Sequence, residues 1–159
     1  MISYACRTPL PTDIDRLLYV NSQCQEIAQH SYYLFWLFVT IYSKNSLVLV
    51  DDMNCIIGYI LSLPSASENA EFLLQIAVLP ESRRGGTGIA LLVEHWELMK
   101  KRGIRVVQTS IHSSCTRGLA LLNLARGRGH DYTEIPWPNS IGANHAFAAT
   151  EGLYEAIIS

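Results

Sequence analysis

The chain has 159 residues, 49% of them hydrophobic, and its 12 basic and 14 acidic side chains leave a formal net charge of −2. That length makes one domain over residues 1–159, burying roughly two-thirds of its unfolded surface. With only 16% charged residues, no basic field suits nucleic acid and no polybasic run suits a membrane surface, so a small molecule is the expected partner.

Ile2 to Arg7 reads as a first strand, and Pro9-Leu10-Pro11 then places Thr12 as the cap of a helix whose Ile14, Leu17 and Leu18 share a face. Ser31 caps a second helix running through Tyr42. Its aromatic residues Tyr32, Tyr33, Phe35, Trp36 and Phe38 wrap most of the circumference, which predicts a helix covered nearly all round. Ser46 to Val50 and Cys55 to Leu63 form a hairpin around the polar turn 51–54. After a loop from Pro64 to Asn69, Glu71 to Val78 reads as a central strand buried on both faces, interrupted only by Gln75.

Ile89, Leu92, Val93, Trp96 and Met99 recur at helical spacing between Gly88 and Arg102, and Gly103 stops that helix. Ile104 to Ile111 returns as a strand. Thr116 to Arg126 is a fourth helix, Tyr132 to Ile135 a strand ended at Pro136-Trp137-Pro138, and Leu153 to Ile158 the last strand.

The apolar run from Tyr32 to Tyr42 is too short to span a bilayer, and the N-terminus lacks the basic start and apolar core of a signal peptide. A cytoplasmic protein is expected. Cys6, Cys24, Cys55 and Cys115 form no C-x-x-C pair and read as free, mostly buried thiols. His30, His95, His112, His130 and His145 show no metal-ligand spacing, so no metal is expected.

Between the central strand and the long helix lies Arg83-Arg84-Gly85-Gly86-Thr87-Gly88. Glycines let backbone N–H groups close on an anion, the helix N-terminus adds unpaired donors, and two arginines add charge. This is a diphosphate cradle. No Gly-Lys-Ser/Thr of a P-loop is present, and no second βαβ unit follows with an acidic residue at dinucleotide spacing.

Val78-x-Pro80 followed by Arg83-x-x-Gly86-x-Gly88 resembles the acetyl-CoA signature of the GNAT superfamily of N-acetyltransferases, and the element order β-α-α-β-β-β-α-β-α-β-β matches that family's fold. The resemblance implies an α/β (α+β mixed) architecture: a mixed, mostly antiparallel sheet of about seven strands with helices on both faces. It also implies acetyl-CoA as co-substrate, held by Ile76, Ala77, Val78, Arg83, Arg84, Gly85, Gly86, Thr87, Gly88 and Asn123. The pantetheine arm would lie in a wedge between 75–78 and 108–112.

Relatives commonly carry a glutamate on the central strand as base, in phase with positions 72, 74, 76 and 78. Those are Phe72, Leu74, Ile76 and Val78 here, and Glu71, one residue out of phase, is expected to face the opposite side or solvent. The tyrosine that relatives place on the fourth helix to protonate the departing sulfur is also missing. Tyr33, Tyr154 and His112 are the candidate substitutes.

Four further segments resemble the L-2,4-diaminobutyrate acetyltransferase branch: 30–37, 74–78, 121–126 and 151–154. By that resemblance His30, Tyr33, Trp36, Leu74 and Glu151 would contact the substrate, Glu151 as the fixed anion and an aromatic ring as a wall. Three readings stay open: acetylation of diaminobutyrate or a similar diamino acid, acetylation of another amine such as a polyamine, an aminoglycoside or a protein N-terminus, and an inactive acyl-CoA-binding sensor. A homodimer, joined through the apolar second helix and the final strand, is expected.

Overall fold

Residues 4–137 and 150–158 are described in a computed structural model of the chain; Ile2, Pro138 and His145 lie outside them. The elements are β1 (Ala5–Arg7), α1 (Ile14–Gln23), α2 (Tyr32–Thr40), β2 (Leu47–Val50), β3 (Ile56–Pro64), β4 (Ala70–Val78), α3 (Thr87–Lys101), β5 (Val106–His112), α4 (Thr116–Arg126), β6 (Tyr132–Ile135) and β7 (Glu151–Ile157). One seven-stranded sheet runs in the order β1-β2-β3-β4-β5-β7-β6. Among the described residues only β4 and β5 pair in parallel, so the sheet is mixed and mostly antiparallel, with helices on both faces.

Local chemistry explains several of the element boundaries. Ser31 Oγ accepts the Leu34 N–H and starts α2. Asp51 Oδ1 accepts from the N–H groups of Met53 and Cys55, and Asn54 at φ 60° closes the β2–β3 turn. The entry to α1 differs from expectation: Thr12 sits inside a 3-10 turn from Pro11 to Asp13, and the Asp13 carboxylate does the work. It accepts the Leu10 N–H at 2.7 Å and pairs with Arg7. A carboxylate held by two oxygens outcompetes a threonine hydroxyl one residue earlier.

Three burial expectations need correction. Helix α2 buries only Phe35, Phe38 and Val39 and leaves Tyr32, Tyr33 and Trp36 exposed, because only its inner stripe meets β3 and α1. Strand β4 buries Ala70, Glu71, Leu73, Gln75, Ala77 and Val78, while Phe72, Leu74 and Ile76 are half-buried. The cysteines are free; Cys24 alone is buried, Cys6 and Cys115 are partly covered and Cys55 is exposed.

Glu71 does not line the cleft described below but is fully buried, and the alternation expected along this strand is broken between Leu73 and Gln75, where β4 has one more residue than β3. Its Oε1 accepts from Asn45 Nδ2 and Ser62 Oγ and lies 3.9 Å from Arg102, while Oε2 has no partner. Burial pushes its pKa up, partly offset by Asn45, Arg102 and Ser62. Among the described residues no helix is long and apolar enough to cross a membrane.

Candidate active site

The hydrogen-bond phase of the strands decides which backbone groups are free. Leu79 N–H donates to Ile57 O, so Leu79, Ala77 and Gln75 occupy the hydrogen-bonded positions of the β3–β4 ladder. Ile76 and Val78 therefore point their N–H and C=O groups away from β3, toward β5. On the other side, Ser113 N–H donates to Thr150 O, which by the same alternation turns Ser110 and His112 toward β4.

Yet β4 and β5 pair only from Ala70↔Val106 to Leu73↔Thr109. Thr109 Oγ1 closes the apex by donating to Leu73 O at 2.9 Å. Beyond it the strands part, and a wedge opens between 74–78 and 110–112; Gln108, expected at its wall, is still paired with Phe72. A cavity of about 600 Å³ fills this wedge and runs on to Gly86, Gly88 and Ile89 of the glycine loop and to Leu121 and Leu124 of α4.

Gly85 and Gly86 adopt φ 78° and 82°, the left-handed region that favours glycine, and Gly86 is the N-cap of α3. The first amides of α3 have no intrahelical acceptor and open toward the loop. Thr87 is buried, its hydroxyl donating to Arg84 O, while Arg84 is exposed.

Arg83 is already engaged. Its Nε donates to Val78 O at 2.8 Å, its Nη2 to Cys24 Sγ at 3.3 Å, and the same nitrogen pairs with Glu26. Cys24 Sγ also donates to Val78 O. Of the two polar groups that Val78 turns into the wedge, the carbonyl is thus occupied and the N–H is left for a ligand. Ala77 lines the cavity, but its own backbone is committed to β3.

Toward α1 and α2 the cavity is lined by His30, Leu74, Gln75, His112 and Glu151. His112 and Glu151 form a non-hydrogen-bonded pair across β5 and β7, the arrangement that brings side chains closest. Burial pulls the His30 pKa down. The remaining candidates lie elsewhere. Tyr33 and Trp36 stack on each other at 5.9 Å on the outside of α2, 66% and 39% exposed, and do not line the cavity. Tyr154 lies over Gly152, on the face of β7 opposite Glu151; burial and nearby Glu134 raise its pKa. Asn123 is exposed on α4, with Leu122 and Leu124 lining the cavity on either side.

Sequence reasoning missed Cys24, Ser114 and Arg117; it placed Gln75 on the wedge wall without a role and noted Glu26 only as an acidic residue displaced from the diaminobutyrate-branch position. Gln75 had a signal, as the lone polar residue in an apolar strand. Its Oε1 accepts from Tyr59 OH and Asn21, and its Nε2 donates to Ala28 O, fixing the segment between α1 and α2 over the wedge. Ser114 and Arg117 had none beyond proximity to His112 and the start of α4.

No family model matches the chain, and no curated protein matches it by sequence. Solved structures do. Diaminobutyrate acetyltransferase EctA from Paenibacillus lautus, solved with L-2,4-diaminobutyric acid and coenzyme A, superposes with a TM-score of 0.81 over 99% of this chain and 96% of that one at 19% identity. The ribosomal-protein-S18-alanine N-acetyltransferase of Escherichia coli gives 0.71 at 18% identity, covering 99% and 95% of the two chains. The PaiA N-acetyltransferase of Thermoplasma acidophilum, solved with coenzyme A, gives 0.72 at 18% identity, covering 96% and 98%. At these identities the likeness shows the fold, that of the GNAT acyl-CoA transferases.

Proposed function

We infer that the protein is an N-acetyltransferase that moves acetyl from acetyl-CoA directly to the primary amine of a small molecule. One observation carries this reading: the amides of Ile76 and Val78 face a wedge continuous with the glycine-rich start of α3. A diphosphate on Gly86, Thr87 and Gly88, with Arg84 beside it, would send a pantetheine arm along that wedge. Its amides would meet the N–H groups of β4, and its thioester would reach the end lined by His30, His112 and Glu151.

L-2,4-diaminobutyrate is the leading amine. Support comes from the Paenibacillus structure and from Glu151, a fixed carboxylate that compensates an incoming ammonium. The exposed face of Tyr32, Tyr33 and Trp36 on α2 is where a second copy would pack.

Thiol release from acetyl-CoA, followed across a panel of amines, tests the reading. Turnover with diaminobutyrate supports it in full. Turnover confined to a polyamine, an aminoglycoside or a peptide N-terminus keeps the chemistry and changes the substrate. Coenzyme A binding without turnover on any amine identifies an acyl-CoA sensor.

A further inference from the structure

The ring of His112 is held at one nitrogen. Ser114 N–H donates to His112 Nδ1 at 3.2 Å, and Ser114 Oγ lies 2.6 Å from the same nitrogen. A ring nitrogen that accepts a backbone N–H carries no proton, so the neutral imidazole has its proton on Nε2. Such a ring cannot take a proton at Nε2 in that form; it can only donate one hydrogen bond there.

We propose that His112 is a catalytic hydrogen-bond donor, its Nε2–H directed at the departing sulfur of the thioester, and that Ser114 is the positioning residue that fixes this tautomer. The proposal rests on the acyl-transfer reading. Ile76 and Val78 bring donors to the β4 wall of the wedge and His112 brings one to the β5 wall, so a thioester between them is polarised from both sides. The neutral amine attacks the carbonyl carbon, a C–N bond forms, and the carbonyl π pair moves to oxygen. That pair then returns, the C–S bond breaks and sulfur leaves with its electrons. The proton shed by the new ammonium passes to sulfur. His112 ends as it began, and neither the missing helix tyrosine nor a strand glutamate is required.

Nitrogen-15 spectra of the labelled protein, with His112 identified by its loss in His112→Gln, read the tautomer directly. The proton resides on Nε2; Ser114→Ala keeps the backbone N–H but loses the hydroxyl 2.6 Å from Nδ1, so it weakens this preference without reversing it, and Ser114→Thr restores it. On the favoured amine, His112→Ala lowers kcat about tenfold to a hundredfold with little change in the acetyl-CoA KM. Ser114→Ala lowers kcat about fivefold, and Ser114→Thr recovers it. A proton on Nδ1, or full kcat in both alanine variants, overturns the proposal while leaving acyl transfer standing. A wild-type protein with no turnover on any amine overturns both.

Discussion

Arg83 Nη2 lies 2.5 Å from Glu26 Oε1, so the arginine that opens the glycine loop is anchored to the segment between α1 and α2. That segment also carries Ala28, whose carbonyl takes hydrogen bonds from Asn21 and Gln75. The glycine-loop end of the cleft and the part lined by His30 are thereby joined through one short stretch of chain.

Glu26→Gln releases this charge to the diphosphate. Both partners are partly exposed, so coenzyme A binding tightens only about twofold to fivefold, the scale of a screened ion pair. Calorimetry checks this; weaker binding would mean that the pair serves mainly to preorganise the loop.

The two glycines at the start of α3 respond differently to substitution. Gly86→Asp sets a carboxylate against the diphosphate at a position of φ 82°, abolishing coenzyme A affinity at a cost of about 1 kcal/mol in stability. Gly88→Ala places its new Cβ 3.7 Å from Leu121, an ordinary contact, and leaves the melting temperature unchanged. Calorimetry paired with thermal melts separates the two; retained affinity in Gly86→Asp would defeat the cradle assignment.

Much of this was legible because glycine, proline and apolar periodicity act locally. The eleven elements came out in order, and α4 and β6 with their observed limits. The glycine turn between β4 and α3 was legible for the same reason. What escaped depends on partners far along the chain. The aromatic run of α2 looks like a buried helix until one sees that only its Phe35 stripe meets the sheet. Nothing local to Arg83 reveals Glu26, and nothing local to Glu71 reveals the Asn45 amide that meets it.

Acid stability turns on His95. It is fully buried on α3, neither ring nitrogen is hydrogen-bonded, and burial lowers its pKa from 6.5 to about 4, only partly offset by the nearby Asn45 backbone. The unfolded chain accepts a proton that the folded chain refuses, so stability present above pH 6.5 is lost as pH falls toward 4, by roughly 3 kcal/mol from this group. His95→Leu removes that acid-side slope and raises stability near neutrality by about 1 kcal/mol. Urea melts at several pH values check it; an unchanged slope would contradict the assignment.

Glu71 acts with the opposite sign. Its raised pKa favours the protonated form in the fold, so its contribution is full below the ordinary value of 4.5 and is lost as pH rises through the folded value. Glu71→Gln keeps an acceptor for Asn45 and removes that loss, gaining about 1 kcal/mol over wild type at alkaline pH. The same melts on the alkaline side measure it; a less stable variant there would show that the Arg102 pair outweighs burial.

In the proposed amine site, Glu151→Gln leaves the acetyl-CoA KM alone and raises the amine KM about tenfold, the loss of one charge-assisted contact. Initial rates over both substrates decide it; equal effects on both constants would place Glu151 outside the amine site.

Amide chemical shifts during a coenzyme A titration test the central claim most directly. The largest changes are expected at Ile76, Val78, Gly86, Thr87 and Gly88, along one continuous path from β4 to the start of α3. Saturable binding whose shifts cluster on another face, or no shift at millimolar coenzyme A, would contradict it.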